Sequence, residues 1–352
     1  MKSSTASSTR HAVLALLMLA ACSGVAFAAT PQEQQAIVQT GTAGPQALQL
    51  RTVPVLEPGA GQVLIRVYAA AVNPTDWKSR AAATGNTAAT GLVIPGGDVA
   101  GVIEKLGDGA DTLKVGEPVF AVISRNLGLL NGGYSQFAVA AIANVVPKPP
   151  PVTYAEAAGL GIATITGVRA VDETRVSKGE RVLITGIAGG VGSAAAQAAK
   201  ARGAYVIGTA TARHNAYLQS LGVDEVIDYT QGRFEYKVKD VDVVIDTVGS
   251  DTAERALSTI KKGGRYISVA ARNIDDKCAA AGVSCMSRGT ASELPRSLYE
   301  EVGALAATGR LKVKVDKALP LAQALQAQEL GEQGHTEGKI VLIVDAANAN
   351  RR

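Results

Sequence analysis

Residues 181–202 decide the fold: Arg181-Val182-Leu183-Ile184-Thr185 runs without a break into Gly186-Ile187-Ala188-Gly189-Gly190-Val191-Gly192, and a helical stretch follows from Ser193 to Arg202. A bound pyrophosphate needs bare backbone amides at a helix N-terminus and a close approach that any side chain larger than hydrogen obstructs, and glycine meets both needs. The glycines stand at 186, 189 and 192, not in the strict G-x-G-x-x-G spacing, so a purely structural tight turn is the competing reading. The setting of strand, loop and helix favours the phosphate-binding one.

Working downstream, apolar runs at 182–184, 205–207, 226–227, 241–245 and 266–269 alternate with helical stretches such as 193–202 and 252–261. The runs are nearly unbroken rather than alternating in polarity, as parallel strands covered on both faces require. The chain is therefore α/β, with parallel βαβ units over residues 152–291. The end of the second strand selects the coenzyme. An NAD enzyme places Asp or Glu about 20 residues past the first glycine, to accept from the ribose hydroxyls. Residues 205–211 hold no acid, while Thr209, Thr211, Arg213 and His214 offer neutral donors and a cation that suit a 2′-phosphate. NADP(H) is the expected coenzyme, against the alternative that Arg213 is a solvated residue at a helix start.

Working upstream, short strands at 36–38, 63–67, 99–104 and 118–123 are separated by Gly/Pro turns, which predicts a β-rich, partly open barrel. The proline-rich run at 147–151 marks its boundary. Beyond Ser287 we expect a helix at 293–307, a strand at 311–315, a helix from about 321 and a closing strand at 339–344. Spacing alone leaves open whether these extend the parallel sheet or return to the first domain.

A chain of 352 residues exceeds one ordinary domain of about 100–200 residues. Its apolar fraction of 47% and its 38 glycines fit a turn-rich enzyme. The net charge of +4 arises from 35 basic and 31 acidic residues scattered along the chain, with no basic block or aromatic stacking pattern, so nucleic-acid binding is not expected. Lys2 and Arg10 precede an apolar run at 12–21 that is too short to span a bilayer but suits a secretory signal over residues 1–28. Cleavage after Ala26-Phe27-Ala28 would release a periplasmic or secreted protein. Leu19-Ala20-Ala21-Cys22 reads instead as a lipobox with a lipid anchor at Cys22, and a third reading is an uncleaved extension on a cytosolic enzyme. Export would permit a disulfide between Cys278 and Cys285. The preferred expectation is nevertheless two small buried hydrophobes, held too far apart by helix-to-strand geometry.

Past the leader, only Cys278, Cys285, His214 and His335 are thiol or imidazole residues, and all lie at or beyond the second domain. A catalytic zinc needs three converging protein ligands and a structural zinc lobe about four cysteines, so no metal site is expected. No histidine lies between Thr30 and Arg213, which leaves no Ser/His/Asp set in the first domain.

With these residues in view, the chain resembles the quinone oxidoreductase (zeta-crystallin-like) branch of the zinc-free medium-chain dehydrogenase/reductases, from residue 35 to 344. The matching stretches are Val72-Asn73-Pro74-Thr75-Asp76-Trp77-Lys78, Pro95-Gly96-Gly97-Asp98-Val99-Ala100-Gly101, Gly132-Gly133-Tyr134, residues 179–200, Asp246-Thr247-Val248-Gly249, Gly263-Gly264-Arg265 and Gly338-Lys339-Ile340-Val341. The resemblance implies a Rossmann doubly wound parallel sheet over 152–291 and a GroES-like catalytic domain over 35–151 and 292–345, to which the chain returns at its end. It further implies that Gly189, Gly190, Val191 and Gly192 hold the pyrophosphate, and that Thr209, Thr211, Arg213, His214 and Tyr229 surround the adenosine phosphate. Thr166, Thr247, Val269 and Ala270 would line the ribose and nicotinamide, with Asn73 near the reacting ring. A homodimer is implied too. Ile187 departs from the small residue usual there, and a local packing change is expected.

Hydride transfer needs orientation and stabilisation of an oxygen that gains charge, which polar donors supply without metal. Asn73 and Lys78 are the candidates, an amide to orient and an ammonium to stabilise or protonate. Asp76 and Tyr134 have structural alternatives, a local turn acceptor and a core ring with its hydroxyl satisfied. The expected activity is NADPH-dependent reduction of a quinone or α,β-unsaturated carbonyl as small-molecule substrate. The alternative is an exported dinucleotide-binding or redox-responsive protein with little catalysis.

Overall fold

The structure, a computed structural model, describes residues 30–40, 47–83, 92–124, 127, 130–270, 274–286 and 294–352. The leader over residues 1–28, with Cys22, lies outside the described residues. Residues Gln32–Arg352 make up one compact unit.

In chain order, β1 (Glu33–Gln39) and β2 (Leu48–Pro54) pair as an antiparallel ribbon, and β3 (Gln62–Ala71) leads into α1 (Pro74–Ala83). Then come β4 (Asp98–Leu106), β5 (Pro118–Val122), β6 (Phe137–Ala141), β7 (Val145–Pro147), α2 (Tyr154–Ala158) and α3 (Ile162–Glu173). The alternating region holds β8 (Arg181–Thr185), α4 (Gly190–Ala201), β9 (Tyr205–Ala210), α5 (Asn215–Ser220), β10 (Glu225–Asp228), β11 (Val241–Asp246), α6 (Ser250–Leu257), β12 (Ile260–Ser268), α7 (Asp275–Ala281) and β13 (Ser284–Met286). It is followed by α8 (Arg296–Ala307), β14 (Val315–Pro320), α9 (Ala324–Glu332) and β15 (Lys339–Ile343).

Two main sheets result. The six-stranded parallel sheet has the order β10-β9-β8-β11-β12-β13, the doubly wound arrangement that the family resemblance implies. Val182, Leu183 and Ile184 of β8 are fully buried, as are Val243, Val244 and Ile245 of β11. The seven-stranded sheet has the order β14-β15-β3-β4-β5-β7, with β6 also on β3. The ends of the chain are thereby placed: β15 runs antiparallel to β3, with Val341 opposite Ala71 and Ile343 opposite Ala69, so the chain does return to its β-rich part. Where the proline run ends, Thr153 and Glu156 cap α2 reciprocally, the Thr153 hydroxyl accepting from the Glu156 amide and the Glu156 carboxylate from the Thr153 amide.

Three expectations need correction. The strand placed at 311–315 is β14 at Val315–Pro320, because the Gln197 side chain occupies the backbone of Lys312 on both sides, accepting from its N–H at 2.8 Å and donating to its C=O at 3.0 Å. The helix placed at 252–261 ends at Leu257, because Ile260 is already paired with Val241 in β12. Cys278 and Cys285 do not stay apart as small hydrophobes. The turn from α7 through left-handed Gly282 brings their Cα atoms to 5.9 Å, and they form a disulfide.

Candidate functional site

The helix α4 opens inside the glycine run. Gly189 is its N-cap, with φ −74° and ψ 173° and no side-chain cap, and the first intrahelical bond runs from the Ser193 amide to the Gly189 carbonyl. The amides of Gly190, Val191 and Gly192 have no helical partner and line a cleft of about 670 Å³. The glycines divide the work. A Cβ on Gly192 would lie 2.5 Å from the Gly186 carbonyl oxygen and 2.6 Å from the Ile187 Cα, so this glycine lets the helix close on the strand. A Cβ on Gly189 would meet only the Gly186 oxygen, at 3.5 Å, so the space over it is open. Such a cradle fits a pyrophosphate. Ile187 is fully buried and is accommodated because the facing strand carries Gly208, where a Cβ would stand 2.4 Å from the Ile187 Cδ1.

The cradle sits where strand order reverses, at the carboxyl ends of β8 and β11, the crevice in which open α/β sheets bind ligands. Asp246 fixes this point. Its buried carboxylate accepts from the Thr185, Tyr266 and Ser268 hydroxyls and from the Val248 and Gly249 amides. Thr247 donates its hydroxyl to the Thr185 carbonyl at 2.7 Å and presents its remaining surface to the cleft, beside Thr166, Val269 and Ala270.

The opposite wall comes from the seven-stranded sheet and holds a buried polar centre. The Lys339 ammonium donates to the Val72 carbonyl at 2.7 Å and to the Asn73 Oδ1 at 2.6 Å. The Asn73 Nδ2 donates to the Asp98 Oδ2 at 2.8 Å, and the Asp98 Oδ1 accepts from the Ile162 amide at 2.9 Å. Behind this row the Asp76 Oδ2 accepts from the Asn73 amide and the Tyr134 hydroxyl, so Asp76 and Tyr134 have the structural roles weighed for them. Burial pushes the Asp98 carboxyl up to about 6, against the pull of Lys339, and lowers the Lys339 ammonium from its ordinary value. Burial also raises the Tyr134 phenol, with the Asp76 charge adding to the effect. Asn73 therefore lines the cleft with its amide oxygen and nitrogen both engaged, while Lys78 stands exposed on the rim.

Comparison with known proteins matches residues 59–150 to the alcohol dehydrogenase GroES-like domain and residues 221–342 to a zinc-binding dehydrogenase family. The chain is 33% identical over 322 residues to a quinone oxidoreductase of Mus musculus, covering 86% of this chain and 95% of that protein. The chain belongs to the quinone oxidoreductase branch of the medium-chain dehydrogenase/reductases. A chloroplastic NADPH-dependent alkenal/one oxidoreductase of Arabidopsis thaliana is 35% identical over 256 residues, 71% of this chain and 66% of that one. Among solved structures, a quinone oxidoreductase from Coxiella burnetii superposes with a TM-score of 0.81 at 28% identity, covering 89% of this chain and 99% of that chain.

As a medium-chain dehydrogenase/reductase the protein is a dinucleotide-using oxidoreductase, and ten of the expected site residues share the cleft: Asn73, Lys78, Thr166, Gly189, Gly190, Val191, Gly192, Thr247, Val269 and Ala270. Thr209, Thr211, Arg213, His214 and Tyr229 are not among its lining residues. The Thr209 hydroxyl accepts from the Gly186 amide at 3.2 Å, bracing the glycine turn from β9. His214 is buried against Glu337 at 2.8 Å, and Arg213 donates to the His214 ring and to the His335 carbonyl, so both engage the loop before β15. Thr211 has a buried hydroxyl with no partner among the described residues, and Tyr229 is largely exposed. Asp98 and Lys339 stand in the Pro95–Gly101 and Gly338–Val341 stretches, where the sequence alone assigns them no role. A lysine opening an otherwise apolar closing strand was the signal for one of them. Among the described residues no group of three or more His, Cys, Asp or Glu side chains could hold a metal ion.

Proposed function

We propose that this protein is an NADPH-dependent reductase of quinones or α,β-unsaturated carbonyls that works without zinc. The observation that carries the reading is a single cleft with helix-end amides that have no partner within their own helix on one wall and a buried cation, amide and carboxylate row on the other. The bound coenzyme would supply the hydride. The amides of Gly190, Val191 and Gly192 hold its pyrophosphate, and Thr166, Thr247, Val269 and Ala270 bound the ribose and nicotinamide. NADPH is favoured over NADH by the absence of an acid at 205–211 and by the Thr211 hydroxyl and Arg213, whose guanidinium can exchange the His335 carbonyl for a 2′-phosphate. Zinc independence is supported by the donor set, since among the described residues no thiol or imidazole stands in the cleft lining. Export is supported by the Cys278–Cys285 disulfide, a bond favoured in oxidising compartments.

The test is NADPH oxidation by the purified protein across a panel of quinones and enones, with coenzyme affinities for NADPH and NADH measured alongside. Turnover with NADPH preferred is the expected result. A protein that binds NADPH and reduces nothing in the panel would remove the enzymatic reading, and stoichiometric zinc with metal-dependent activity would remove the zinc-free one.

A further inference from the structure

The cleft contains two lysines in different surroundings. Lys78 is exposed on the rim, where water screens its charge. Lys339 is 5% exposed and lines the cleft, and its stem enters between two glycines: a Cβ on Gly190 would be 2.8 Å from its Cδ, and one on Gly159 3.3 Å from its Cγ. These glycines give the aliphatic chain a passage from β15 to the cleft. At its tip, two ammonium hydrogens are taken by the Val72 carbonyl and the Asn73 amide oxygen. The third has no acceptor among the described residues. Asp98 accepts from Asn73, which keeps the amide oxygen turned toward Lys339 and the ammonium in one place. A held cation in a water-poor wall stabilises developing negative charge far better than a solvated one, because nothing reorganises when the charge appears.

We propose that Lys339, and not Lys78, is the group that stabilises the substrate's carbonyl oxygen as it becomes negative. The assignment rests on the reductase reading above. In the enone case the β-carbon receives the hydride with its electron pair, the C=C pair shifts to the α-carbon and carbonyl, and the oxygen takes the charge as an enolate. The free N–H of Lys339 donates to that oxygen. The α-carbon then takes a proton from solvent. The coenzyme is oxidised and the enone reduced by two electrons. Asn73 and Asp98 are positioning residues for this ammonium.

Two measurements test the assignment. Lys339→Met keeps the length of the stem and removes the charge. We expect kcat/KM for a quinone or enone to fall by about 100-fold or more, with NADPH affinity within about fivefold of the parent and a native unfolding midpoint. The second uses the unaltered protein with NADP⁺ and 4-nitrophenol, whose visible absorbance reports ionisation. We expect the phenolate to bind at least about tenfold more tightly than the phenol, read as a fall of about one unit in its apparent pKa. This measurement stands if Lys339→Met does not fold. Turnover of Lys339→Met within threefold of the parent, or no preference for the phenolate, overturns the assignment while leaving a working reductase. A parent protein that binds NADPH yet turns nothing over overturns the reductase reading and this assignment with it, and the inert parent distinguishes that case.

Discussion

Alanine at Gly189 and alanine at Gly192 are expected to fail in opposite ways, although the two glycines stand in one loop. At Gly189 the backbone, at φ −74° and ψ 173°, is one that any L-residue adopts, and the new methyl would meet only the Gly186 oxygen at 3.5 Å. Gly189→Ala should leave the fold intact and raise stability by about 0.4–1 kcal/mol through loss of unfolded-chain freedom. The same methyl stands over the cradle, and coenzyme affinity should drop at least about tenfold, or about 1.4 kcal/mol. At Gly192 the methyl would be 2.5 Å from one backbone atom and 2.6 Å from another, neither of which can swing aside. Gly192→Ala should lose about 1–3 kcal/mol of stability, as overpacked cores do. Urea unfolding followed by the single tryptophan, Trp77, reads the first quantity. Because Trp77 also lines the cleft, its quenching on NADPH titration reads the second. Undiminished affinity in a correctly folded Gly189→Ala would refute the placement of a pyrophosphate on this loop.

Other outcomes follow from contacts already described. Gly208→Ala should destabilise by about 1–3 kcal/mol against the buried Ile187, and combining it with Ile187→Ala should recover part of the summed loss in a double-mutant cycle; strict additivity would contradict the packing argument. Asp98, facing Lys339, Asp76, Tyr134 and Tyr299, has its carboxyl raised to about 6 in the fold, so its burial penalty is present above that pH and is relieved as pH falls through it toward the ordinary carboxylate value. Its two oxygens both accept N–H bonds, so the ionised form holds Asn73 in place. Turnover should therefore decline below about pH 6 while this group's cost to the fold shrinks over the same range, and a kcat/KM profile flat to pH 5 would contradict it. Reduction of Cys278–Cys285 should lower stability by about 2–3 kcal/mol, as expected for a short closed loop, without altering NADPH affinity. Arg213→Ala should weaken NADPH binding about tenfold or more and leave NADH binding nearly unchanged, measured by parallel titrations.

The parallel sheet was legible because fully buried strands need uninterrupted apolar residues, and the glycine turn ahead of α4 because its close approach to β8 leaves no room for a Cβ at Gly192. What escaped were properties set by partners distant in sequence. Gln197 settles the conformation of Lys312 from 115 residues away, and no local pattern carries that. The disulfide depends on one left-handed glycine reversing the chain between α7 and β13. Lys339 and Asn73 are 266 residues apart. Read singly, one is a charged residue at a strand start and the other an amide before a proline, and only the fold makes them a pair. His214 illustrates the converse. Its residue type suits a phosphate neighbour, but Glu337 reaches its ring from the loop before β15.

The pairing of β15 with β3 also bears on how the molecule is made. A ribosome delivers Gln62–Ala71 long before Lys339–Ile343, and until the later strand arrives the earlier one has a bare edge where β15 will sit. Long-range closures of this kind are slow and leave nascent chains prone to stick to one another. Holding factors that mask strand edges should therefore improve the yield of active material more than added coenzyme does, since the wall carrying Lys339 exists only after that last seam has closed.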